Sequence, residues 1–101
     1  MAYKQTQIQK TTDLPANSSA PVEIPCIGFS VVWGYCDEAF QLTFAATAAE
    51  GLSRINSKDT RETISSGGAF SRVTDGLLNL YVRANGAVLV ADGLSYGLGV
   101  R

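Results

Sequence analysis

The stretch Leu77-Leu78-Asn79-Leu80-Tyr81-Val82-Arg83-Ala84-Asn85-Gly86-Ala87-Val88-Leu89-Val90-Ala91-Asp92-Gly93 decides the reading of the fold. Leu78, Leu80 and Val82 alternate with Asn79, Tyr81 and Arg83. A period of two turns one set of side chains inward and leaves the other on the solvent side. Asn85-Gly86 tolerates the positive φ angles of a two-residue hairpin turn. Ala87–Ala91 is wholly apolar, as in a strand covered on both faces. Asp92-Gly93 then marks a second tight turn into Leu94–Val100. These three segments predict an antiparallel meander.

The same alternation extends upstream. Phe29, Val31 and Trp33 alternate with Ser30 and Val32, and Phe40, Leu42 and Phe44 with Gln41 and Thr43. The link Gly34–Glu38 has the length of a hairpin loop. A helix competes over Glu38–Glu50, where Ala45, Ala46, Ala48 and Ala49 have high helix propensity. The spacing of the aromatics favours a strand through Phe44, with the alanines continuing extended or forming one short turn. Leu52–Asn56 reads as a strand, Ser57–Glu62 as an exposed charged loop, and Thr63–Ile64 as a brief strand. Ala69–Thr74 alternates again, with Phe70 and Arg72 opposite Ser71 and Val73.

The first 25 residues differ. Tyr3–Lys10 alternates polar groups around one strong apolar anchor, Ile8, which suits an edge strand or an arm that pairs with another subunit. Leu14-Pro15 and Pro21 bracket a loop, and Val22–Ile24 returns as a short strand closed by Pro25; proline confines such positions to edges and strand ends. Turn signals recur every ~8–12 residues, the spacing of a sandwich or barrel. The reading is therefore all-β: a small antiparallel β-sandwich or jelly-roll-like barrel of about 7–9 short strands, with an N-terminal arm or edge strand over 1–12 and the sandwich domain over 13–101.

A chain of 101 residues makes one domain. Its charged fraction of 17% lies below the usual ~25%, and such neutral surface is easily desolvated against a partner. A Thr/Ser-rich surface of a small β protein gives the same figure. The net charge is −1, and the eight basic residues are scattered singly. Nothing forms the basic stripe that phosphates require or the polybasic run that a membrane surface attracts, so neither nucleic acid nor membrane is expected as a partner. The N-terminal MAYKQTQIQK lacks a hydrophobic signal region, so secretion by the general pathway is not expected. Cys26 and Cys36 read as free, buried thiols of a cytosolic protein, with a bridge as the alternative.

The chain has no histidine, which removes Ser-His-Asp and Cys-His arrangements and the commonest metal ligand. Two thiols without histidine cannot complete a zinc tetrahedron unless carboxylates join them. Asp37-Glu38 is an adjacent acidic pair, but strand neighbours point to opposite faces, so it reads as a solvated hairpin tip. Ser66-Gly67-Gly68 lacks the lysine of a phosphate loop. Asn17-Ser18-Ser19 matches the glycosylation pattern and reads as a turn. Asp75-Gly76 and Asp92-Gly93 lack calcium-loop spacing. No enzyme activity, cofactor or metal is expected. The candidate interface residues are Tyr3, Gln5, Gln7 and Ile8 in the arm, together with Trp33, Tyr35, Tyr81, Arg83 and Tyr96. Exposed aromatics stack on sugars or anchor interfaces. The competing reading puts Trp33 in the core and the tyrosines at its rim. Tyr81, beside Asn79 and Arg83, lies on the better surface candidate.

The run Asp13-Leu14-Pro15-Ala16-Asn17-Ser18-Ser19-Ala20-Pro21-Val22-Glu23-Ile24 resembles a loop-then-strand phrase of small β-sandwich virion proteins of bacteriophages. The ending Gly86-Ala87-Val88-Leu89-Val90-Ala91-Asp92-Gly93, followed by a last strand, does so too. That group includes head decoration or cement proteins and small adaptor or spike components. The resemblance implies a structural protein made in the host bacterial cytoplasm and located in the virion. It would dock on the major capsid protein or other virion subunits, often as a homo-oligomer. An arm could extend a neighbour's sheet through backbone hydrogen bonds, so deleting residues 1–12 is expected to leave a folded domain that assembles weakly. Two other classes stand beside this one. The first is a ligand- or carbohydrate-binding β-sandwich module using Trp33, Tyr35, Tyr81 or Tyr96. The second is an enzyme subunit or accessory domain, which the missing histidine and absent motifs disfavour.

Overall fold

The computed structural model describes residues 7–100. The elements are β1 (Gln7–Leu14), β2 (Val22–Ile24), β3 (Val31–Cys36), β4 (Phe40–Ala45), α1 (Ala48–Ile55), β5 (Glu62–Ile64), β6 (Gly68–Val73), β7 (Asn79–Ala84) and β8 (Val90–Gly99). The strands form two four-stranded sheets, ordered β1-β8-β3-β6 and β2-β7-β4-β5. Every pairing is antiparallel. Among the described residues the protein is an all-β sandwich with one short helix.

Alternation builds the core. Leu14, Val32, Cys36, Phe70, Leu94 and Leu98 come from the first sheet, and Ile24, Phe40, Leu42, Leu80, Val82 and Ala84 from the second. Phe40 and Phe70 meet across the layers with ring centroids 5.8 Å apart. Gly34 makes room for this pair, since a methyl group there would come within 2.6 Å of the Phe70 ring. Burying such side chains contributes about 1.5–3 kcal/mol each, the main favourable term of the fold. At one open side of the sandwich, Arg72 on edge strand β6 pairs with Glu62 on edge strand β5 and bridges the two layers.

Alternation does not reveal which sheet a strand joins, and the expected meander does not form. β7 lies in the second sheet and β8 in the first. Asn85 and Gly86 do not take positive φ angles, so they make no primed hairpin turn, and the chain crosses between layers at 85–89. Likewise β3 and β4 lie in different sheets, so Asp37-Glu38 sits at a solvated crossover and not at a hairpin tip. Asp92-Gly93 is an irregularity inside β8: pairing with β1 shifts between Thr12↔Leu94 and Leu14↔Val90. Asp92 adopts the left-handed conformation (φ 48°), and its N–H donates to Asp13 Oδ1 at 2.8 Å.

Leu52–Asn56, expected as a strand, belongs to α1 and its C-cap. Thr47 caps the helix by accepting from Glu50 N–H at 3.2 Å, while Glu50 accepts from Ala46 N–H at 3.0 Å. This is a shifted capping box: Thr47 satisfies the Glu50 N–H that a helix start leaves open, while Glu50 reaches the N–H one residue before the cap. α1 covers the outer face of the second sheet and buries Gly51 and Ile55.

Candidate binding face

The sequence-derived interface residues separate into four groups. Tyr3 and Gln5 lie outside the described residues. Gln7 and Ile8 pair through the backbone with Gly99 and Leu98, which makes β1 the edge strand of the domain's own first sheet. Tyr81 and Arg83 were expected at the surface but are 1% and 4% exposed. The remaining group, Trp33, Tyr35 and Tyr96, belongs to the first sheet.

The burial of Tyr81 and Arg83 has a clear cause. Their face carries Asn79, Tyr81 and Arg83 on β7 beside Gln41 and Thr43 on β4, and α1 lies across it. Arg83 donates to Gln41 Oε1 (2.7 Å), Asn56 Oδ1 (2.7 Å) and the Ile55 carbonyl (3.2 Å). Burial, and then the like charge of Arg61, draws the Arg83 guanidinium below its usual range. Its partners are neutral acceptors, and a guanidinium stays charged in proteins, so these bonds support a buried cation. Tyr81 lies under Gly51, where an added methyl would come within 2.6 Å of its ring. Its hydroxyl makes no well-formed hydrogen bond among the described residues; burial raises its pKa, and the Asn79 side chain opposes that rise more weakly. This face is a helix seat, not a binding surface.

The outer face of the first sheet is open. The register sets two rows across its four strands: Gln9, Gly97, Trp33 and Ser71, and next to them Thr11, Ser95, Tyr35 and Ala69. Gly97 lacks the side chain that would compete with Trp33; a methyl there would fall 2.3 Å from Trp33 Cζ2. The indole therefore lies over β8, half-buried, and Tyr35 beside it is 52% exposed. Together they line an open trough of about 800 Å³ with Gln9, Thr11, Ser71 and Ser95 around them and Lys10 as the one charged lining residue among the described residues. Tyr96 borders the trough but packs against the core; burial, and then Cys26, raises its pKa. Trp33 is thus neither a core residue nor a fully exposed one. Gln9, Thr11, Ser71 and Ser95 were absent from the sequence-derived set because only the register brings them together.

A second set of exposed residues lies at the two ends of the sandwich. Ser30 N–H donates to the Gly99 carbonyl, and Gly28 N–H to the Gly76 carbonyl, so loops 25–30 and 74–78 share the end where β8 finishes. Ile27, Val73 and Leu77 are exposed there. Val88 and Leu89 are exposed at the opposite end, just before β8 begins.

The described residues include no group of three or more His, Cys, Asp or Glu side chains able to hold a metal ion. Cys26 and Cys36 are buried and unbridged, and burial raises both thiol pKa values. No helix among the described residues is long and apolar enough to cross a membrane. Comparison with protein-family models, curated proteins and solved structures found no match to this chain.

Proposed function

We infer that this chain is a structural, non-catalytic component of a bacteriophage particle, a decoration protein that binds capsid subunits through the two ends of its sandwich. One observation carries the reading. Among the described residues seven large apolar side chains are exposed, and five of them sit at the two ends: Ile27, Val73 and Leu77 at one, Val88 and Leu89 at the other. Apolar groups in contact with water gain free energy when a partner covers them, at about 25 cal/mol per Å². Two such ends suit a protein held between neighbouring subunits. The light charge of the chain lowers the desolvation cost of such a contact, and the absence of histidine fits a role without proton transfer.

The particle itself provides the test. Virions purified through a density gradient should contain the chain in fixed stoichiometry to the major capsid protein. Its absence from purified particles, with the chain left in the lysate, would refute the assignment.

A further inference from the structure

We propose that the trough on the outer face of the first sheet binds a neutral oligosaccharide, with Trp33 and Tyr35 as the aromatic platform and Gln9, Thr11, Ser71 and Ser95 as the polar surround. A sugar ring is chemically two-sided. Its C–H groups form an apolar patch that settles on the electron-rich face of an aromatic ring, and its hydroxyls at the rim need donors and acceptors. The two rows supply both. Trp33 and Tyr35 stand two residues apart on β3 and so project from one face. Ser71 lies directly across from Trp33 on β6, and Ser95 directly across from Tyr35 on β8. Gln9 and Thr11 stand beyond β8 on β1, in the same two rows.

Gly97 is what turns a row of side chains into a trough. With no side chain between Gln9 and Trp33, the floor drops at β8 and the indole occupies the space. The four strands span ~14 Å at the usual inter-strand spacing, and the trough volume of about 800 Å³ lies within the range of small-ligand sites. Among the described residues no carboxylate lines it, and Lys10 is its only charged lining residue. That favours an uncharged ligand rich in hydroxyls over a phosphate, a nucleotide or a metal. Val73 stands two residues from Ser71 on the same face of β6, but Tyr35→Ala tests the trough without changing any of the five end residues, so failure of this proposal and failure of the docking role are distinguishable.

Trp33 is the only tryptophan of the chain, so tryptophan fluorescence, excited at the red edge where the four tyrosines do not absorb, reports on this site. The protein would be titrated with cellotetraose, maltotetraose and N-acetylchitotetraose up to about 10 mM, which detects affinities of the ~1 mM class. The expected result is a saturable change in Trp33 emission with at least one of the three. Tyr35→Ala, at an exposed position, should keep the fold by circular dichroism and weaken that binding at least tenfold. Ser71→Ala and Gln9→Ala should each weaken it severalfold. No saturable change with any of the three sugars would overturn the proposal. Binding that Tyr35→Ala leaves unaltered would do the same.

Discussion

The guanidinium of Arg83, on β7, donates to the main-chain oxygen of Ile55 at 3.2 Å and so ties the last turn of α1 to the second sheet. The carbonyls at a helix C-terminus carry partial negative charge and have no partner within the helix. A buried cation at that point satisfies one of them. Arg61 reaches the same Ile55 carbonyl at 3.3 Å.

Arg83→Ala is therefore expected to destabilise the protein by about 2–4 kcal/mol, because Gln41, Asn56 and Ile55 lose a donor at a buried site. Urea unfolding would measure it as a fall in the midpoint. Arg83→Lys should recover only part of the loss, since an ammonium cannot reproduce the planar fork.

Tyr81→Phe should act in the opposite direction. Among the described residues the Tyr81 hydroxyl is buried without a well-formed hydrogen bond, although the Asn79 side chain interacts with it, and an unsatisfied buried hydroxyl carries a desolvation cost. Removing it should raise stability by about 0.5–1.5 kcal/mol, read as a higher Tm. A clear drop in Tm would show that the hydroxyl is bonded in solution.

Gly51→Ala sets two effects against each other. Alanine is favoured over glycine within a helix by about 1 kcal/mol. The added methyl, however, would fall 2.6 Å from the Tyr81 ring, and overpacking costs about 1–3 kcal/mol. The ring is fully buried and cannot swing aside, so overpacking should win. Gly51→Ala is expected to be destabilising, and Gly51→Ala in a Tyr81→Ala background much less so.

Stability should decline in alkali. Burial raises the pKa of the Cys26 and Cys36 thiols and of the Tyr81 and Tyr96 phenols. The unfolded chain therefore releases these protons at lower pH than the folded one. Their contribution is complete below the unfolded thiol pKa of roughly 8.5 and is lost as pH rises through the folded values. Urea midpoints measured from neutral pH into alkali should be level and then fall above about pH 8.5. Midpoints unchanged into strong alkali would contradict it.

Much of the sandwich was legible because inward and outward residues alternate. Val31–Cys36, Phe40–Ala45 and Gly68–Val73 are strands where the pattern places them. Partner choice was not legible, because alternation says which side of a strand is buried and not which sheet receives it. That is why Leu77–Val100 reads as a meander and folds across two layers. The helix had local signals in Thr47-x-x-Glu50 and in the alanines around it, which the strand-like alternation of Phe40, Leu42 and Phe44 just upstream outweighed. Once α1 lies over β7, Arg83 is buried by the partners that α1 brings. Its polarity alone indicated solvent. Trp33 and Tyr35 could be named as candidates from sequence, but the trough depends on Gly97 facing Trp33 across the sheet, a long-range pairing with no local trace.

The proposed role in assembly stands or falls with the two apolar ends. Under that proposal a phage encodes the chain, and capsid shells assembled from that phage's major capsid protein would be mixed with the purified chain and pelleted. The wild-type chain is expected in the pellet at saturable stoichiometry. Leu77→Glu and Val88→Glu, both at exposed positions, are expected to remain folded and to stay in the supernatant. A wild-type chain that never pellets, or variants that pellet as well as wild type, would contradict docking through these ends.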